Sequence, residues 1–107
     1  MKNPLANMGN ILKQAQAMQA QMAKVQEQAS VKTVTGTAGG GGVTVTANGA
    51  MQLLGIVIDP EVVKSGDVEM VQDLVMAASN DALQKAREMM ANEMKAVTGG
   101  MNVPGLF

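Results

Sequence analysis

Between residues 8 and 29 the apolar residues Met8, Ile11, Ala15, Met18, Met22, Val25 and Ala29 recur in an unbroken alternation of three and four. That spacing is a heptad seam, with Met8, Ala15, Met22 and Ala29 at a and Ile11, Met18 and Val25 at d. The flanking e and g positions read Gln14, Gln19, Gln21, Gln26 and Gln28, with Leu12 the exception. Such a pattern predicts a long helix that wants another helix along its length. Asn3 as N-cap and Pro4 at the first helical position mark its start, Gly9 is a reason to expect regular helix only from Asn10, and the end falls near Ala29 or Ser30.

The period then changes. Residues 31–37 are rich in β-branched side chains, and Val43, Val45 and Ala47 alternate with Thr44, Thr46 and Asn48. These read as two strands joined by a mobile loop over the four glycines 39–42. Asn48-Gly49 signals a two-residue type I′ hairpin turn into a third strand over residues 51–58. In that strand Leu53, Leu54, Ile56, Val57 and Ile58 put apolar groups on both faces. Asp59-Pro60 ends the strand, Ser65-Gly66-Asp67 supplies a turn and an N-cap, and a second helix follows over residues 68–97. Thirty residues of helix measure about 45 Å, whereas a compact domain of this size has a radius of gyration near 13 Å. Much of the second helix therefore lies beyond the reach of its own chain. The run Leu74-Val75-Met76-Ala77-Ala78 is apolar all round and predicts one side on the sheet and the other on a second subunit. Leu74, Val75 and Ala78, with Met18 and Met22 on the first helix, are the expected dimer contacts. The expected class is α+β, a single domain over residues 1–98, with Gly99-Gly100 stopping the helix and a flexible tail over 99–107.

Composition makes the case for a partner stronger. The chain has 107 residues, 47% of them hydrophobic and 16% charged, but Phe107 is its one aromatic residue. Each buried Val, Leu or Met contributes at best on the order of 1.5–3 kcal/mol and Ala much less, so the core is thin and association would supply the missing burial. There are no cysteines and no histidines, which excludes disulfides, thiolate or imidazole metal sites and every catalytic arrangement built on Cys or His. No run of eighteen apolar residues exists, and the N-terminus lacks the apolar stretch of a signal peptide. A soluble protein of the cytoplasm is expected, with no membrane contact, no cofactor and no small-molecule substrate.

The net charge of −1 conceals a segregation. Residues 1–35 carry four lysines and one Glu, residues 36–58 carry no charge, and residues 59–81 carry six acids against Lys64. Lys13 and Lys24 are eleven residues apart, and eleven steps of about 100° return to within about 20° of the start, so the two form a stripe opposite the seam. A basic stripe on a bare helix suits a polyanion. The other chemical signals are weaker. The glycine run lacks a following Lys-Ser/Thr and leads into a strand, which speaks against a phosphate cradle. Asp59, Glu61, Asp67 and Glu69 gather around a turn without a His or an apolar pocket, as solvated surface acids do. Asn80-Asp81 suits structural hydrogen bonding. The chain has eleven Met residues, and those at helical spacing read as adaptable core. Nothing supports an enzyme.

The order helix, three-stranded meander, long helix carries specific residues. Leu12-Lys13-Gln14-Ala15-Gln16 with Met18 and Met22, Val45-Thr46-Ala47-Asn48-Gly49, Ile58-Asp59-Pro60, Asp73-Leu74-Val75 with Ala77-Ala78, Asn80-Asp81-Ala82 and the ending Gly-Met-Asn-Val-Pro-Gly-Leu-Phe resemble the YbaB/EbfC family of nucleoid-associated proteins. The resemblance spans nearly the whole chain. It implies a tweezer-like homodimer whose helical arms grip duplex DNA, with an architectural or regulatory role at the nucleoid. By resemblance Lys13 and Gln14 on the first helix and Lys85 and Arg87 on the second face DNA, beside Lys24 from the stripe. Gln52-Leu53-Leu54-Gly55 departs from the family pattern, in which many relatives carry Arg or Lys in the third strand. A dimeric protein-interaction module with weak DNA contact is the alternative.

The long helices and the thin core together predict a dimer at micromolar concentration. Sedimentation equilibrium should return about twice the chain mass of 11.0 kDa, and a species at 11.0 kDa would refute it.

Overall fold

A computed structural model describes residues 4–98 of the chain. Helix α1 (Pro4–Ser30) is followed by strands β1 (Thr33–Ala38), β2 (Val43–Asn48) and β3 (Leu53–Ile58), a short helix α2 (Pro60–Lys64) and the long helix α3 (Val68–Thr98). The strands form one antiparallel sheet in the order β1-β2-β3, the expected meander. The Asn3 cap and the tail over 99–107 lie outside the described residues. Gly9 does not delay α1, which is helical from Pro4 onward. One glycine costs only about 1 kcal/mol against the many good helix formers around it.

Alternation along β2 decides which sheet face is the core. Val43, Val45 and Ala47 are fully buried and meet Ala78, Ala82 and Ala86, one residue per turn along α3. Opposite them, Thr35 pairs with Thr46 and Thr37 with Thr44, so the other face is largely threonine. The helix comes unusually near the sheet at one point. A Cβ on Gly36 would fall 2.2 Å from the Ala82 nitrogen and 2.5 Å from the Ala78 carbonyl oxygen, so only glycine fits there.

The hairpin between β2 and β3 differs from expectation. Asn48 and Gly49 do not take up left-handed conformations; the residue with positive φ is Met51, at 62°. The connection is a four-residue loop organised by the buried Asn48 side chain. Its Oδ1 accepts from the Ala50 and Gln52 N–H groups, both at 3.0 Å, and its Nδ2 donates to Gln52 Oε1 at 3.0 Å. Those bonds do the work of a tighter turn. Gly49 is required for proximity, since a Cβ there would lie 2.2 Å from the Ala29 carbonyl oxygen at the end of α1. The glycine loop before β2 does need glycine conformations, with Gly39, Gly40 and Gly41 all at positive φ.

Two further elements follow from capping. Asp59 accepts from the Glu61 N–H at 3.0 Å and opens α2, a one-turn helix absent from the sequence reading. Asp67 accepts from the Met70 N–H at 3.0 Å and opens α3, as expected. Each such cap contributes about 1 kcal/mol.

Helix α3 covers β1 and β2 with its first half and meets α1 with its second. Ala29 is buried, Met18, Met22 and Val25 are half-buried, and Met8, Ile11 and Leu12 at the other end of the seam are exposed. The seam is therefore covered by α3 of the same chain over its C-terminal half. This alters the expected dimer contacts. Ala78 has no surface left for a partner, because the sheet of its own chain takes all of it. Leu74 and Val75 pack at the margin of the same core, and Met18 and Met22 keep only part of their surface free.

Replacing Gly36 with Ala forces α3 off β1 and should destabilise the fold by about 3 kcal/mol, the upper range for overpacking, in urea denaturation. Gly9→Ala, with nothing within 4 Å of the added carbon, should leave stability unchanged or raise it by up to about 1 kcal/mol.

Candidate nucleic-acid interface

The shape of the molecule separates its charges. Its extents are 80 × 22 × 18 Å, because α1 and the second half of α3 project from the sheet as an arm. The acids Asp59, Glu61, Asp67, Glu69 and Asp73 lie on α2, its flanks and the start of α3, at the sheet end. Val97, near the other end of α3, lines an open groove of about 340 Å³ with Gln14, Ala17, Met18 and Gln21 of α1. Some 30 residues of α3 therefore hold the acids roughly 40 Å from this groove, far beyond a Debye length of about 8 Å in physiological salt. A polyanion at the arm does not feel them.

Lys13 and Lys24 are both exposed on α1, about 16 Å apart along the axis. The described ion pairs are Lys32–Glu93, Lys64–Glu61 and Lys85–Asp81, so neither stripe lysine is neutralised by one. Gln14 sits beside Lys13 at the groove toward α3 and can donate to a phosphate oxygen next to it. Ala17 and Ala20 lie between the two lysines on the same helical face, so the stripe is two separated charges with Gln14 on the flank beside Lys13. The two α3 candidates do not join it as a pair. Lys85 and Arg87 lie on either side of the buried Ala86, each about 100° from it, so they point to opposite flanks of the helix. Arg87 is exposed and takes no part in the described ion pairs. Lys85 donates to Asp81 Oδ2 at 3.1 Å.

Asp81 has a structural task. Its carboxylate also accepts the Thr37 N–H of β1 at 3.1 Å. That backbone bond, with the Lys85 ammonium beside it, holds the Asp81 carboxyl below its ordinary value. The expectation of hydrogen bonding at Asn80-Asp81 thus falls on Asp81. Lys32, counted with the basic arm from its position in the chain, pairs with Glu93 on α3. The two are 61 residues apart, and no local pattern could have joined them.

The model of the YbaB/EbfC DNA-binding family matches residues 3–101. The chain belongs to this family. A nucleoid-associated protein of Clostridium novyi (strain NT) is 55% identical over 101 residues, covering 94% of this chain and 89% of its own. Another, from Caldanaerobacter subterraneus subsp. tengcongensis, is 54% identical over 101 residues, with 94% and 91% covered. A crystal structure of an uncharacterized protein from Helicobacter pylori superimposes with a TM-score of 0.64 at 26% identity, covering 85% of this chain and 92% of that one. No described group of His, Cys, Asp or Glu is placed to hold a metal ion, and no described helix is long and apolar enough to cross a membrane.

Asp81 carries a pH prediction. A depressed folded-state pKa means that its stabilisation is full above the ordinary aspartate value and is lost as pH falls through the lower folded one. Asp81→Asn keeps an acceptor for Thr37 but loses the charge. The variant should be less stable than the parent at neutral pH, and the gap should shrink below about pH 4, measured by thermal melts across pH.

Proposed function

We propose that this family member is a nucleoid-associated homodimer that binds duplex DNA mainly through phosphate contacts, in an architectural or regulatory role within the cytoplasm. The observation that carries the reading is the exposed, ion-pair-free stripe of Lys13 and Lys24 on an arm kept far from the acids of α2, its flanks and the start of α3. Its relatives' names, nucleoid-associated proteins, agree with it. A dimer brings two arms, and two arms can hold a duplex between them. Gln14 adds a neutral donor beside the stripe, and Arg87 lies on an open flank of α3. Lys85 contributes only by leaving Asp81, so its part in binding is smaller. Phosphate contacts place the protein without choosing a sequence, and with no aromatic residue among the described ones, base stacking has no platform. Nothing in the arrangement supplies a catalytic group.

A second reading has one specific support. Met8, Ile11 and Leu12 are 61, 64 and 59% exposed toward the start of α1, an apolar surface that suits a protein partner. In that case duplex binding would be absent even at low salt.

Four phosphate contacts, from Lys13 and Lys24 on both subunits, give a slope of log K against log salt of about −3.6. Fluorescence anisotropy with a random duplex at several salt concentrations should find at least this slope in the parent. Lys13→Gln with Lys24→Gln should flatten it by about 3.6 and weaken all duplexes alike, with the sedimentation behaviour unchanged. An unaltered slope would shift the contacts to Arg87 and its neighbours.

A further inference from the structure

Helix α3 leaves the seam of α1 half covered. The two helices run antiparallel: Ala29 and Met90 both crowd Gly49, and Met18 shares the open groove with Val97. Along this stretch the seam residues Ala29, Val25, Met22 and Met18 are buried or half-buried. Helix α3 ends at Thr98, one residue past Val97, and the seam does not end with it. Ala15, Ile11 and Met8, the next three seam positions, are exposed, Ile11 by 64% and Met8 by 61%. Burial thus stops where α3 stops, on a surface whose heptad spacing is unchanged.

The groove opens in the same direction. Its lining on α1 is Gln14, Ala17, Met18 and Gln21, and Ile11 lies seven residues before Met18, within about 20° of its direction. Ala15 sets only a methyl group between the larger Met18 and Ile11, which leaves room for a bulky side chain.

The residues that follow Thr98 have the matching character. Residues 99–107 include Met101, Val103, Leu106 and Phe107, the one aromatic residue of the chain, and no charged side chain. Because α3 is antiparallel to α1, the chain beyond it is delivered onto the bare seam. Nine residues reach at most about 30 Å, against about 15 Å from Met18 to Met8. The spare length suits Pro104-Gly105, a pair that favours a chain reversal and would return Leu106 and Phe107 toward Ile11.

We propose that residues 101–107 pack on the bare N-terminal half of the α1 seam in their own chain, with Phe107 against Ile11 beside Ala15. The segment takes over the seam where α3 leaves it. Its tether holds it at an effective concentration on the order of millimolar, so any separate protein that bound the same apolar surface would first have to displace it. The seam lies opposite Lys13 and Lys24, and both lysines stay open with the segment in place.

The chain has no Trp, Tyr or Cys, so substitutions can report on this segment alone. In the full-length protein, Phe107→Trp should emit to the blue of the same variant unfolded in urea. Adding Ile11→Glu should return the emission to the unfolded wavelength, with the circular dichroism spectrum of the fold kept. Ile11→Cys with Phe107→Cys decides independently of that variant. It should oxidise to a disulfide within one chain, which runs as a single chain on a non-reducing gel, because a disulfide requires Cα atoms within about 7 Å. Emission of the folded Phe107→Trp protein at the unfolded wavelength, blue emission that Ile11→Glu leaves untouched, or failure of the cysteine pair to close overturns the proposal and leaves Met8 and Ile11 to a protein partner. A disulfide that joins two chains places the segment on a second copy and overturns it as well.

Discussion

The contact of Gly36 with the backbone of Ala78 and Ala82 governs the rest of the architecture. Because neither side of that contact has a side chain beyond a methyl group, α3 lies almost on the backbone of β1. Ala78, Ala82 and Ala86 then reach Val43, Val45 and Ala47, and a core with no aromatic residue can still close. A core so made is dense but shallow. It holds only the first half of α3 and leaves the second half to extend from the sheet, where Lys32 and Glu93 join the base of β1 to it and the Met18–Ala29 portion of α1 packs along it. The arm is therefore a consequence of small residues at the sheet.

The arm's length has an electrostatic result. With a net charge of only −1 the chain as a whole should be indifferent to DNA. Distributed over 80 Å, the acids around α2 and the start of α3 fall beyond the screening distance of Lys13 on the arm. Net charge is a poor guide to the partners of an elongated molecule. What matters is which lysines are free, and pairing removes Lys32 and Lys85 while Lys13 and Lys24 stay available.

The sheet shows the same division of labour. Asp81 closes the β1 edge and in doing so engages Lys85, so one ion pair both blunts an edge and reduces the charge that α3 can offer to DNA. The opposite edge is apolar and open. The polar outer side of α1 and the uncharged, open β3 edge thus lie in separate regions of the molecule.

Periodicity by itself determined the order of elements. The heptad spacing of α1, the alternation in β2, the Asp67 cap and the long apolar stretch of α3 are local patterns, and local backbone preferences follow from neighbours a few residues away. The family, too, was legible, because its motifs lie in a characteristic order along nearly the whole chain. The tertiary structure decided everything that depends on which distant residues meet. It assigned Ala78 to the chain's own core, gave half of the seam to α3, paired Lys32 with Glu93, and turned Asn48-Gly49 from an expected tight turn into a buried hydrogen-bonding side chain beside a close approach to Ala29. A pattern of apolar positions says that a face must be covered. It does not say by what, because burial rewards any apolar surface of the right shape, and only the three-dimensional arrangement chooses among them.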